Sequence, residues 1–262
     1  MTTLFDVLLG TARRVRSFKT GTATGGTTTT LIDTVYRVEE DDYFNGQTLF
    51  MLSGDNANIS RSITDFANST ATLTISPALD DAPVAGDRYL ISQAIREDLV
   101  QAIAIALDEI GNVTNIDDSL VMVADQTEYT LPAGVSGVSR VEIAGMTTGD
   151  YDYRIVHNWD EINGQIVFDN GLPFSPGNTI RLYYNARHAT VDADTDVVSD
   201  SLPIPLITAI AAFWYTRNAY GNRLNADIKE NPILTMALEE RSIAKRMYRV
   251  NRIPRDPKFG GG

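Results

Sequence analysis

The sequence predicts an α+β protein, a small helical bundle of about four helices with two inserted antiparallel β domains. Three observations carry that prediction. Helical periodicity is confined to a few short stretches, at the start, in the middle and near the end of the 262 residues. Alternating text rich in Thr, Val, Ile and Tyr, punctuated by Gly, Asn and Asp, fills the two long intervals between them. No helical stretch is long enough to bury an apolar core alone, so the helices are expected to pack together. The implied organisation is a bundle from residues 1–18, 93–111 and 203–250, a β module at 19–92, a second β domain at 112–202 and an extended tail at 251–262. On that plan the 19–92 module is an appendage, and its deletion is expected to leave a folded protein.

Each element has a local reason. Leu4, Phe5, Leu8, Ala12 and Val15 fall at helical spacing after Thr2 and Thr3, which suit a first turn, and Arg13, Arg14 and Arg16 suit the negative end of the macrodipole. From Lys19 to Ser92 the β-favouring residues alternate, with Asn45-Gly46 and Gly54-Asp55-Asn56 as turn chemistry, which predicts about five or six strands. The stretch QAIREDLVQAIAIALDEIG places Ile95, Leu99, Ala102, Ile103, Ala106, Leu107 and Ile110 on one stripe and stops at Gly111. Strands return between Asn112 and Ser201. A nearly apolar helix is predicted from Pro203 to Tyr220, closed by Gly221. A last helix begins at Asn231-Pro232 and runs to Val250, with Leu234, Ala237, Leu238, Ala244 and Met247 facing inward. Beyond it Pro254 and Pro257 forbid more helix.

Charge and composition exclude whole classes of function. The formal charge is −12, which opposes sequence-independent binding to phosphate backbones. From Arg241 onward seven cations face one acid, Asp256, so that end is +6 and the first 240 residues carry −18. An acidic body with a basic, Pro-bearing end predicts a globular unit and an interaction tail. With no Cys there is no thiolate nucleophile, disulfide or Cys-based metal site. The basic residues of the first helix follow its apolar stretch, the reverse of a signal peptide, and no apolar run approaches 18 residues, so no membrane role is expected.

No motif predicts an enzyme, a cofactor or a metal. Asp192, Asp194 and Asp196 in DADTD resemble the opening of a calcium loop, but Val197 and Pro203 stand where that loop needs Gly and Glu, which favours a solvated linker. His157 and His188 lack a second ligand at metal spacing. GTATGG has no Lys and no following helix, so it is no phosphate cradle. Phe213, Trp214, Tyr215 and Tyr220 share one helix and are expected at an interface between helices or between subunits. The tail presents Arg249, Arg252, Arg255 and Lys258 at three-residue spacing, with Ile253 and Phe259 as apolar anchors, a pattern suited to docking on an acidic protein groove.

The stretch ADQTEYTLPAGVSGVSRVEIAG, the segment Trp159 to Asn163, GQIVFDNGLPFSPGNTIRLYYNARHATVDADTDVV and the apolar helix after them resemble head-to-tail adaptor (connector) proteins of tailed bacteriophages, similar to the tail tubular proteins of short-tailed phages. The resemblance covers about residues 93–262 and the first helix. Residues 19–92, opening with TGTATGGTTTTLIDT and closing with AGDRYLIS, resemble a small β module of phage structural proteins that compact adaptors lack. The family implies a virion neck protein without enzymatic activity, host-cytoplasmic before assembly. It implies a homo-oligomeric ring of about twelve copies, docked under the portal protein by its C-terminal segments and receiving tail or nozzle proteins on the other side. Genomic DNA would pass through the lumen without specific binding, and the acidic body is compatible with a lumen that repels it. A tail-tip or fibre protein that binds host polysaccharide is the alternative. Tyr43, Phe44, Tyr151, Tyr153 and Trp159 would then stack on sugars.

Overall fold

The computed structural model describes residues 1–15, 18–35, 39–144, 153–169, 175–199, 201–221 and 232–248. Its chain is mostly β-sheet, in four sheets, with four helices among the described residues. The expectation of a small helical bundle carrying two inserted β domains is therefore overturned. The described residues divide into two units, residues 1–110 with 189–248, and residues 111–188. The first unit holds the largest sheet and all four helices together, so that sheet does not hang from a separate helical body.

In the first unit a two-residue strand β1 (Thr2–Thr3) leads into helix α1 (Leu4–Val15). The Thr3 backbone N–H donates to the Asp6 carboxylate at 3.0 Å, which satisfies one of the free donors at the helix start. Strands β2 (Phe18–Thr22), β3 (Gly25–Thr27), β4 (Thr30–Ile32), β5 (Thr48–Met51), β6 (Ile59–Ala67), β7 (Thr72–Ser76) and β8 (Arg88–Ser92) then form a seven-stranded antiparallel sheet. Its order is β2-β8-β5-β6-β7-β4-β3. Because β2 and β3 are separated only by Ala23 and Thr24, the two ends of the sheet are one stretch of chain, and the sheet curls into a half-barrel. Gly26, at φ 159°, lies where an added Cβ would stand 2.3 Å from the Thr30 carbonyl oxygen, so only glycine fits at this closure. Leu31, Phe44, Leu49, Met51, Ile63, Phe66, Leu73 and Tyr89 fill the inside.

Part of the other face of this sheet, at β5 and β6, meets the helices. Phe5 of α1 meets Phe50 of β5 edge to face, with centroids 5.8 Å apart, and both rings are buried. Helix α2 (Arg96–Ile110) follows, and Thr48 of β5 donates its hydroxyl to the Ala94 carbonyl just before it at 2.7 Å. Gly111 closes α2 at φ 80°, the left-handed residue expected there. Helix α3 (Ile204–Gly221) packs against α1, α2 and α4 (Pro232–Met247). Its residues Leu206, Ile207, Ala209, Ile210, Ala211, Phe213 and Tyr215 are all buried. The bundle inference went wrong because periodicity shows that α1 has an apolar face but not what meets it. Part of that face meets a strand.

The second unit has its own core. Strands β9 (Val113–Val121), β11 (Val138–Ala144), β12 (Tyr153–Val156) and β15 (Thr179–Ala186) form one antiparallel sheet in the order β12-β11-β15-β9. Strands β10 (Glu128–Thr130), β13 (Trp159–Ile162) and β14 (Gln165–Phe168) form another, in the order β10-β14-β13. Asn163 and Gly164, both at positive φ, make the two-residue turn between β13 and β14. Tyr129, Trp159, Ile166 and Phe168 from the small sheet share a core with Val138, Val141, Ile143, Ile180 and Leu182 from the larger one. In the first unit, β16 (Val197–Val198) pairs antiparallel with β1. Among the described residues no helix is long and apolar enough to cross a membrane.

Candidate functional site

The face of the first unit built by α2, α3 and α4 concentrates its unusual chemistry. Near the C-terminus of α2, the Glu109 carboxylate collects three donors from two other helices. Trp214 Nε1 of α3 donates to Oε2 at 2.6 Å, and Arg241 Nε of α4 donates to Oε1 at 3.1 Å. Lys245, one turn further along α4, pairs with the same oxygen. Burial pushes the Glu109 carboxyl up, but the Lys245, Trp214 and Arg241 hydrogen bonds outweigh it and hold the group below its usual range. Arg241 also lies over the Phe213 ring, 4.7 Å from its centroid.

Few of the side chains of α4 are fully buried. Only Leu234 and Ala244 are, with Ala237 and Leu238 half-buried, and the helix is held by packing on α3, by the Glu109 clasp and by an exposed Arg14–Glu240 pair at 3.1 Å. Its exposed residues include Glu239, Ser242, Lys245 and Arg246, together with an apolar stripe. Met236, Ile243 and Met247 are 59%, 48% and 68% exposed, at positions that line one helical stripe. Met247 was expected to face inward, and it faces out. Among the described residues no ion pair or ring contact engages this stripe.

The pH dependence of the clasp has a definite sign. A depressed carboxyl contributes stability that is complete above the unfolded glutamate value near 4.5 and is lost as pH falls through the lower folded value. Thermal melts of the parent chain and Glu109→Gln are expected to differ at neutral pH and to converge toward the acid side of that window.

A second charged centre lies under the start of α1. The Asp194 carboxylate is buried and accepts hydrogen bonds from the Ser60 N–H at 2.7 Å, the Ser60 hydroxyl at 2.6 Å and Arg96 at 3.1 Å, with Arg61 at 3.5 Å. The backbone carbonyls of Asp194 and Asp196 accept the first N–H groups of α1, from Phe5 at 3.1 Å and Leu4 at 2.8 Å. The Asp196 carboxylate accepts the Asp192 and Ala193 N–H groups, which hold it below the usual carboxylate range. Thus DADTD is neither a calcium loop nor wholly a solvated linker. Its central residue ties β6 and α2 to the segment that caps α1. Arg96, at the head of α2, donates to the Ser60 hydroxyl, the Asp192 carbonyl and the Asp194 carboxylate.

In the second unit, one face of the larger sheet carries a polar network. Arg181 makes a two-pronged pair with Asp118 at 2.8 and 2.7 Å, which raises its pKa further, and stacks on the Tyr153 ring at 3.7 Å. Glu142, buried, accepts from the Tyr183 hydroxyl at 2.9 Å and pairs with Arg140. Burial and the Glu142 charge push the Tyr183 hydroxyl up.

The residues predicted from sequence fall in three places. Phe213 and Tyr215 are buried on α3, and Trp214 is half-buried in the clasp. Tyr220 belongs to the last turn of α3, and its side chain lies outside the described residues, as do Arg249, Arg252, Ile253, Arg255, Lys258 and Phe259. The aromatics considered for sugar stacking do not share an exposed platform. Phe44 and Trp159 are core residues of different units, Tyr43 lies under Lys19, Tyr153 lies under Arg181, and Tyr151 is outside the described residues. Sequence reasoning missed Glu109 and Asp194, whose partners stand 105 and 134 residues away along the chain. Set against known protein families, curated proteins and solved structures, the chain matches none of them.

Proposed function

We propose that this chain is a virion structural protein, a head-to-tail adaptor of a tailed bacteriophage. In this reading it forms a homo-oligomeric ring under the portal protein, extends the DNA channel and gives tail or nozzle proteins their attachment site. The observation that carries the reading is α4. The helix packs on α3, is joined to α2 through the Glu109 clasp, presents a periodic apolar stripe outward, and is followed in the sequence by the basic C-terminal segment. Such a helix suits a protein that works by lateral and axial contacts with other chains. The net charge of −12 suits passage of DNA without adhesion.

The C-terminal segment supplies the test. A chain truncated after Val250 is expected to keep its melting temperature, because the contacts described above all precede that residue. In phage complementation it is expected to give DNA-filled heads that leak or lack tails. Infectious particles at normal yield from the truncated chain would remove the portal-docking role from Arg249, Arg252, Ile253, Arg255, Lys258 and Phe259.

A further inference from the structure

We infer that α4 pairs with α4 of a second copy of this chain, two-fold and antiparallel, along the apolar stripe it presents outward. The contact does not rest on the ring reading above, because a two-fold contact closes on itself and belongs to the free chain. Ile233, Met236, Glu240, Ile243 and Met247 follow one another by three, four, three and four residues, the heptad spacing that keeps one seam between two helices. Ile233, at the start of the seam, is 49% exposed, so apolar surface runs along it from end to end with Glu240 as the one polar member. A second copy of the same seam supplies equally apolar cover, and methionines on both sides adapt to one another.

The flanks of the seam select the antiparallel pair. On one side stand Glu239 and Arg246, both exposed and neither in an ion pair among the described residues. Arg246 only returns its Nε to the Ser242 carbonyl of its own helix, at 3.3 Å. The other side carries Ala237 and Ala244, small enough to let two helices approach. With Met236 set opposite Met247 of the second copy, an antiparallel pair brings Glu239 of each copy to Arg246 of the other, and the match occurs twice. A parallel pair would set Glu240 against Glu240 and leave Glu239 and Arg246 facing alanines. In the antiparallel pair Glu240 lies opposite Ile243 instead, and it brings Arg14 as its own counter-charge at 3.1 Å. Arg241 and Lys245 take no part, since both are spent on Glu109. One acid and one base beside the seam give no net charge to favour a nucleic acid, whereas their order complements its own reverse.

The absence of any native Cys makes the contact directly testable. Met236→Cys and Met247→Cys replace exposed side chains, and circular dichroism checks that each full-length variant keeps the parent fold. Both are oxidised mildly at high protein concentration, singly and mixed. The expected result is a disulfide-linked dimer in the mixture at about tenfold or more the yield of either variant alone. Equal yield from Met247→Cys alone would overturn the inference in favour of a parallel pair, and no linked dimer in any sample would overturn it outright. A Met247→Cys thiol shielded from maleimide at every concentration would overturn it in favour of cover by the chain's own C-terminal segment. Sedimentation supplies the second measurement. Glu239→Lys and Arg246→Glu are each expected to weaken self-association about tenfold, and the two together in one chain to restore it. A parent chain that stays monomeric at its highest concentration, or a loss that the double exchange does not restore, would contradict the contact. Micrographs of the same chains with the portal protein keep the two claims apart. Rings on the portal without the 236–247 link refute this contact alone, whereas linked dimers beside bare portals refute the adaptor reading alone.

Discussion

Deleting residues 19–92 and joining the flanks is expected to abolish cooperative unfolding of the first unit, the opposite of what the segment order alone predicts. The deletion removes β5 and with it Phe50, the ring that covers Phe5 of α1. Uncovering a buried Phe costs about 1.5–3 kcal/mol. It also removes Ser60, whose N–H and hydroxyl both donate to Asp194. Each such hydrogen bond to a charged group contributes about 1.5–3 kcal/mol. The contact of β6 with α2 is lost at the same time, and a domain's whole margin is about 5–15 kcal/mol. Differential scanning calorimetry checks the outcome. The second unit, whose core draws on residues between Met122 and Leu182 with Leu120 and Tyr184 beside it, is expected to keep its own transition. Two transitions near their parental temperatures after the deletion would restore the view of 19–92 as an appendage.

The second large effect is expected at Asp194. Removing its carboxylate in Asp194→Ala leaves Arg96, whose side chain is only 17% exposed, without the anion that faces it, while Arg61, 16% exposed, keeps a longer pair with Asp80 at 3.7 Å. Leaving a largely buried charge uncompensated costs about 3–5 kcal/mol. For a unit of this size that corresponds to a fall in melting temperature of roughly 10 °C. Asp194→Asn keeps an acceptor for the Ser60 groups but loses the charge, so its melting temperature is expected between those of the parent and the alanine variant. Equal melting temperatures for all three chains would show that solvent already compensates both arginines, contrary to the geometry.

These two results mark the boundary of what the sequence makes legible. Helix α2 and its stop at Gly111 follow from local chemistry, a single apolar stripe and a left-handed closing residue. Helix α3 was expected to be buried, and its run from Leu206 to Ala212 leaves no polar side to face water except Thr208, which returns its hydroxyl to the backbone. Strand text was legible in both units as alternation. What the alternation does not carry is the partner of each face. Phe50, in a strand buried on both faces, could have met another strand or a helix, and it meets α1. The same holds for the charged centres. Glu109 looks like an ordinary acid near a helix end until Trp214 and Arg241 arrive from other helices. Asp194 stands in a run of alternate carboxylates that local pattern assigns to solvent, yet pairing with two distant arginines makes its burial favourable.

The adaptor reading has its most direct test in class-averaged electron micrographs of the purified chain with and without the portal protein of the same phage. The account predicts a closed ring stacked coaxially on the portal, with the portal itself sufficient to template it if the free chain is monomeric. Portals that remain bare at saturating chain concentration would contradict it.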